Sequence, residues 1–195
     1  NKYYPIYAEK SFTYNNIKQG NRNALLYTDP TVDGLKTGHT NAAGYCLVAS
    51  SERRNMRLIA AVMGTNSMQA RADQVRALLN WGFSSYESVT PMKAGTELAN
   101  APVWFGVNDT ISVGLANDLS LTIPRGKKDD VEAKTRLQPE LEAPIAKGQV
   151  VGEVVVSIGD KVLSTQPLVA LTDVEEANVV VRLWHYLKRF LSQLF

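Results

Sequence analysis

Val32-Asp33-Gly34-Leu35-Lys36-Thr37-Gly38-His39-Thr40 runs almost directly into Ala42-Ala43-Gly44-Tyr45-Cys46-Leu47-Val48-Ala49-Ser50. The second of these stretches is a glycine-interrupted, β-favouring run. Residues 57–63 form another, and the polar Ser51-Glu52-Arg53-Arg54-Asn55 joins them. Two such runs around a polar link predict a hairpin of adjacent strands. Asn66 with Gln69 then resembles a capping box, and Ala72, Val75, Leu78, Leu79 and Gly82 recur at helical spacing. An amphipathic helix is predicted over about 67–82. The earlier residues 1–23 are rich in Tyr, Asn and Lys and read as loops around short extended pieces.

Beyond residue 86 the texture changes. Residues 103–107, 111–115, 119–123, 131–137, 150–158 and 168–171 are short β-favouring runs separated by turn signals such as Asn108-Asp109, Pro124-Arg125-Gly126 and Gly159-Asp160. Turns at this spacing without a helical pattern between them predict an all-β, sandwich-like unit over 87–174, with a linker near Pro91. The tail, 175–195, changes again. Thr172 with Glu175, or Asp173 with Glu176, offers a capping box. Val180, Leu183, Trp184, Leu187, Leu191, Leu194 and Phe195 then share one arc of a helix. Arg182, His185, Lys188, Arg189, Ser192 and Gln193 fall opposite.

Composition bounds the function. The 195 residues are 45% hydrophobic and 21% charged, with a formal net charge of +2, which fits a globular chain and gives no argument for nucleic acid. No apolar stretch is long enough to span a bilayer. A single cysteine, Cys46, among apolar neighbours reads as a buried, inert thiol. HExxH, CxxC, GxGxxG and GxxxxGK patterns are absent from the sequence, so no metal or nucleotide cofactor is expected. Trp81, Trp104 and Phe105 read as core residues rather than ligand platforms.

The sharpest chemical string is Lys36-Thr37-Gly38. On its own it is weak, arising by chance in roughly one chain in twenty at average composition, and Lys36 alone would read as a solvated strand lysine. Its context is stronger, because K-T-G on a strand is one active-site element of penicillin-binding proteins and class A β-lactamases. The sequence resembles the low-molecular-weight penicillin-binding proteins that act as serine-type D-alanyl-D-alanine carboxypeptidases. The matching stretches are 21–26, 32–40, 44–50, 56–64, 81–83, 102–106, 121–126 and 149–152.

That resemblance implies a multi-domain α+β architecture. Residues 1–86 would be the C-terminal part of a β-lactamase/transpeptidase-like α/β domain, 87–174 an all-β domain and 175–195 an amphipathic membrane-anchoring helix. It implies peptidoglycan pentapeptides ending in D-Ala-D-Ala as substrate and β-lactams as acylating inhibitors. It also implies residence on the periplasmic face of the bacterial inner membrane, with a secretory signal upstream. By the same resemblance, Lys36 and Thr37 meet the substrate's terminal carboxylate, the catalytic Lys36 also supports proton transfer electrostatically, Gly38 lets the strand approach the substrate, and the His39 backbone N–H donates to the oxyanion. The His39 imidazole can equally be structural. Arg22 matches a family arginine near the carboxylate pocket. Arg71 reads first as a helix surface charge and second as a candidate for that neighbourhood. For the tail, Leu183, Trp184, Leu187, Lys188, Arg189, Leu191, Leu194 and Phe195 are the membrane-binding candidates. The alternative is an apolar stripe packed on the chain's own β-domain or in a homodimer. Cell-wall enzyme partners of the β-domain are a further expectation.

One family element is missing. The nucleophile of these enzymes lies in S-x-x-K, with a second element S-x-N. Ser11, Ser50, Ser51 and Ser67 meet Tyr14, Arg53, Arg54 and Ala70 at the lysine position, and none of the later serines fits either pattern. The expectation is a truncated chain that is inactive by itself, because without the acyl-forming serine there is no covalent step to accelerate. A non-catalytic, membrane-associated binding or spacer module is the competing function.

Overall fold

The computed structural model describes residues 2–192, so Leu194 and Phe195 of the expected membrane face lie outside it. The first hairpin joins β1 (Ser11–Tyr14) to β2 (Ile17–Gly20) through Asn15 and Asn16, both at positive φ. That is what a two-residue hairpin loop requires, and Asn tolerates it. A short helix, α1 (Leu25–Thr28), buries Leu25 and Leu26. Then β3 (Val32–Thr40), β4 (Gly44–Arg53) and β5 (Met56–Thr65) form an antiparallel sheet in that order. The β4–β5 link is shorter than its five polar residues suggest. Pairing continues to Arg53 opposite Met56, and Arg54 and Asn55 alone turn the chain, at φ 53° and 60°.

Helix α2 (Met68–Ser85) packs Ala72, Val75 and Leu79 with Leu25, Leu26, Val32, Leu47, Ala49 and Ala60 to form the core of this first unit. Each of the largest of these side chains contributes about 1.5–3 kcal/mol by leaving water. The cap is Ser67 rather than Asn66: its backbone is extended and its Oγ accepts the Ala70 N–H at 3.0 Å. Gln69 instead bonds the Asp73 carboxylate. The buried stripe is also narrower than the sequence suggests, with Leu78 42% and Trp81 58% exposed. Trp81 lies about 200° around the helix from Leu79, which turns it away from the core it was expected to join.

The chain divides into two compact units. The first is 1–88 with 122–125, and the second is 89–121 with 126–195. The division falls within β6 (Tyr86–Met92) and β9 (Leu119–Pro124), two strands that pair with each other, so the expected linker is itself a strand. In the second unit, β7 (Glu97–Pro102), β8 (Thr110–Leu115), β10 (Val131–Leu137), β11 (Val150–Ile158) and β12 (Lys161–Ala170) make an antiparallel sheet in the order β10-β11-β12-β8-β7. Val113, Val151, Val154, Val156 and Leu168 are fully buried in this unit. Residues 103–107 are no strand. Phe105 sits at φ 62°, which breaks the extended run, and only Trp104 and Gly106 make isolated bridges, to Glu142 and Glu176.

Those bridges delay the last helix, α3 (Val179–Ser192). Val174 is paired with Ile145 and Glu176 with Gly106, which holds the expected capping residues in extended chain. Asn178 caps instead, its Oδ1 accepting the Val181 N–H at 3.1 Å. Among the described residues no helix is long and apolar enough to cross a membrane.

Candidate functional site

Strand β3 is at the edge of its sheet, so no strand pairs with its outer side. Beside it a cleft of about 510 Å³ is lined by Arg22, Lys36, Thr37, Gly38, His39, Tyr45, Met68 and Arg71. The fold thus gathers every site residue expected outside the tail into one place. Four segments contribute: the turn before α1, the second half of β3, the start of β4 through Tyr45, and the first turn of α2. All the charged lining side chains among the described residues are cationic. Such a surface attracts carboxylates.

Each segment has its own support. Arg22 is exposed but flanked by two working asparagines. Asn21 donates to the Glu9 carbonyl at 3.0 Å and accepts the Asn23 N–H at 2.9 Å. Asn23, 2% exposed, donates to the Gly34 carbonyl at 3.1 Å and accepts the Leu25 N–H at 3.1 Å. It therefore ties the Arg22 turn to β3, a role that its position beside an arginine did not announce.

The Lys36 ammonium is exposed and, among the described residues, bonds its neighbour's carbonyl, Thr37 O, at 2.5 Å. A Cβ built on Gly38 would meet nothing closer than the Cys46 Cβ at 3.7 Å, an ordinary contact. The fold itself therefore does not require glycine there. His39 packs its ring on Tyr45 with centroids 4.0 Å apart, which favours its structural role. Cys46 is half-buried rather than buried, its thiol 3.5 Å from the Ala43 carbonyl.

Arg71 departs most from its first reading as a surface charge. It is 3% exposed, donating to the Gly38 carbonyl at 3.3 Å and the Arg22 carbonyl at 3.0 Å, and its guanidinium lies 5.8 Å from the Tyr45 ring centre. From α2 it ties together the backbones of β3 and of the Arg22 turn and lies near the Tyr45 ring of β4. The α2 terminus that carries it is fixed by the Ser67 cap and by Thr65, whose single hydroxyl proton is shared between the Tyr45 and Ser67 carbonyls at 3.0 and 3.1 Å.

The start of β3 is held by charge. Asp33 accepts from Tyr4 at 3.0 Å and from Arg57 at 2.7 Å. Burial pushes its carboxyl up, but hydrogen bonds from Arg57, Tyr4 and Ser50, with the Arg57 charge, outweigh that and hold it below the usual carboxylate value. Asp29 is lowered in the same way: burial opposes, while bonds from Thr31 and the nearby Arg53 prevail.

Comparison with known proteins places these features. Residues 1–67 match the family described as D-alanyl-D-alanine carboxypeptidase, and residues 86–176 the penicillin-binding protein 5 C-terminal domain. The chain is 45% identical over 194 residues to the D-alanyl-D-alanine carboxypeptidase DacA of Escherichia coli (strain K12), covering 98% of this chain and 48% of that protein. It belongs to the low-molecular-weight penicillin-binding protein family of D-alanyl-D-alanine carboxypeptidases. DacF of Bacillus subtilis (strain 168) is 34% identical over 170 residues, covering 87% of this chain and 43% of its own length. Among solved structures, penicillin binding protein 5 from Haemophilus influenzae superposes with a TM-score of 0.77 at 44% identity, over 89% of this chain and 51% of that one. The chain thus spans about half the length of the curated relatives it matches, corresponding to their C-terminal portion.

The tail residues belong to the second unit. Leu183, Trp184, Leu187 and Leu191 are 47–63% exposed, Lys188 is exposed, and Arg189 is half-buried. The alternative of an apolar stripe packed on the chain's own β-unit is overturned, because the apolar arc faces outward and it is His185, on the polar arc, that is buried.

Proposed function

We propose that this chain supplies the carboxylate-binding wall of a serine D-Ala-D-Ala carboxypeptidase that trims peptidoglycan pentapeptides through an acyl-enzyme and is acylated by β-lactams. The β3–β5 sheet with α2 is then part of a transpeptidase-like α/β domain. The observation that carries this reading is the convergence of Arg22, Lys36, Thr37 and Gly38 on one all-cationic cleft at the edge strand of the sheet.

In this mechanism Lys36 and Thr37 hold the terminal carboxylate of the substrate, with Arg22 adding a planar guanidinium suited to it. The Lys36 ammonium also stabilises negative charge that develops as the tetrahedral intermediate forms, and the His39 backbone N–H donates to the oxyanion. The small Gly38 leaves room for the substrate backbone along β3. The attacking serine is not in this chain, which has no S-x-x-K. The purified 195-residue chain therefore neither releases D-Ala nor retains labelled penicillin. In a chain that carries the nucleophile, Lys36→Ala lowers kcat/KM by about 10²–10³-fold, the loss typical of one transition-state donor. A stoichiometric covalent β-lactam adduct on the present chain, or full activity of the Lys36→Ala enzyme, overturns the reading.

The outward apolar face of α3 supports a second role, attachment to the periplasmic face of the inner membrane. Val180, Leu183, Trp184, Leu187 and Leu191 are solvent-exposed along one side, and Lys188, 5.5 Å from the Trp184 ring, borders them with positive charge. Several partly buried side chains of this size give reversible interfacial binding. Co-sedimentation with vesicles, with and without residues 175–195, tests it. Equal binding of both forms leaves the chain a β-unit spacer without an anchor.

A further inference from the structure

We propose that α3 is a docked helix, folded before it meets lipid, with its rotation about its own axis set by His185 and its two basic neighbours. The lipid part of this inference rests on the membrane-attachment reading above. The docking itself stands on contacts within the second unit.

Exposure along α3 is inverted relative to an ordinary surface helix, whose apolar face turns inward. His185 is 5% exposed, while Val179, Val180 and Leu183 are 63–75% exposed. The imidazole fills a specific place. Its Nδ1 accepts the Phe105 N–H at 2.8 Å, which puts the ring proton on Nε2, 3.5 Å from the Asp109 carboxylate. The ring stands edge-on to Trp104 at 5.7 Å, and Tyr186 packs on Phe105 at 4.5 Å. The Phe105 amide is available because φ 62° takes this residue out of any sheet ladder. The Phe105 carbonyl accepts from Ala177, just before the helix.

Two arginines extend the contact along the same face. Arg182, one turn earlier, pairs with Glu176 at 2.9 Å, and Glu176 is bridged to Gly106. Arg189, one turn later, pairs with Glu142 at 2.6 Å and with Glu140, and Glu142 is bridged to Trp104. Three polar side chains at i, i+3 and i+7 thus engage the helix's own lead-in at Glu176, the Phe105 loop and the Glu140–Glu142 segment. A helix of 14 residues is marginal in water by itself. Docked, it presents its apolar side to a bilayer in one orientation and avoids ordering at the moment of binding, the saving that pre-organisation gives.

Amide hydrogen exchange on the 195-residue chain without lipid tests the docking. The expected result is protection across 183–189 and at Phe105 in wild type. Both drop roughly tenfold or more in His185→Ala, the loss of one buried hydrogen bond with its packing. The β11 and β12 amides keep their protection, which separates undocking from unfolding. His185→Asn, whose Oδ1 can accept the same N–H, restores part of the protection. Arg189→Glu, placed against Glu140 and Glu142, weakens it without touching the ring. On phosphatidylglycerol–phosphatidylethanolamine vesicles His185→Ala binds about tenfold more weakly, since its helix must fold on the lipid. Unprotected 183–189 amides in wild type, or protection identical in His185→Ala, overturn the docking. Equal vesicle affinity of wild type and His185→Ala overturns the pre-folding advantage. Absence of wild-type vesicle binding overturns the attachment reading alone, leaving the exchange result to decide the docking.

Discussion

Replacing Arg71 with methionine removes the tie between α2, β3 and the Arg22 turn while filling much of the same space. The guanidinium makes two hydrogen bonds to main-chain carbonyls, Gly38 and Arg22, and lies near the Tyr45 ring, at 3% exposure. A hydrogen bond from a charged donor contributes about 1.5–3 kcal/mol, and a cation over a ring about 0.5–2 kcal/mol, toward the upper end where it is buried. The methionine stem keeps most of the apolar contact, and water entering from the open cleft satisfies part of the two carbonyls, so the net cost is about 2–4 kcal/mol. At 1.4 kcal/mol per decade, this is roughly a 30- to 1,000-fold fall in the protection of amides in β3, β4 and α2. The same exchange experiment reads the second unit as an internal control, which stays unchanged. A loss of under about 0.5 kcal/mol, the range of an ordinary surface substitution, refutes the claim that Arg71 is a buried tie.

Three further outcomes follow from the contacts around the cleft. Asp33 has a lowered carboxyl pKa in the folded chain, so its stabilising effect is complete above its unfolded value of about 3.9 and is lost as pH falls through the lower folded value. Asp33→Asn accordingly removes part of the acid dependence of the first unit's melting temperature below pH 4, and an unchanged acid limb counts against the Asp33–Arg57 pair. Gly44→Ala strains the turn that feeds β4, because φ there is 64° and the new Cβ would lie 2.9 Å from the Thr65 carbonyl oxygen. The expected cost is about 1–3 kcal/mol by urea denaturation, and a neutral effect means the turn is softer than its geometry. Asn23→Ala leaves a buried N–H and C=O unpaired and costs about 1–3 kcal/mol, with faster exchange at Leu25 as its local signature.

Much of the first unit is written in local pattern. The K-T-G strand, the hairpin and α2 follow from alternating apolar runs and a 3.6-residue period. The burial of Arg71 was legible too, since it shares a helix face with Val75, Leu79 and Gly82, and only its charge argued for the surface. Other features depend on contacts far along the chain. Strands β6 and β7 contain Pro91 and Pro102 and few β-branched residues, so their own sequence does not mark them. The run 103–107 has the composition of a strand, yet the positive φ of Phe105 lets its amide meet His185, 80 residues later. No periodicity of the tail could have found that partner, because a histidine among arginines falls on the polar face of any helical wheel.

The cleft divides its cations between two tasks, and burial separates them. Arg71 donates inward to carbonyls and holds Gly38 and Arg22 in place. Arg22 and Lys36 are exposed, and among the described residues Lys36 bonds the carbonyl of Thr37, a contact that a carboxylate can replace under the proposed function. A charge already committed to the fold cannot be given to a ligand without exposing what it held, whereas an exposed ammonium changes partner at small cost. Lys36→Ala should therefore leave the stability of the first unit within about 0.5 kcal/mol of wild type while weakening carboxylate binding. Arg71→Met should lower both together, because the wall that positions the free cations moves with it. Measured side by side, by hydrogen exchange and by NMR titration with an acyl-D-Ala-D-Ala peptide, the two variants separate a residue that binds from one that positions. If Lys36→Ala destabilises the unit as much as Arg71→Met, the division between a structural and a binding cation is wrong.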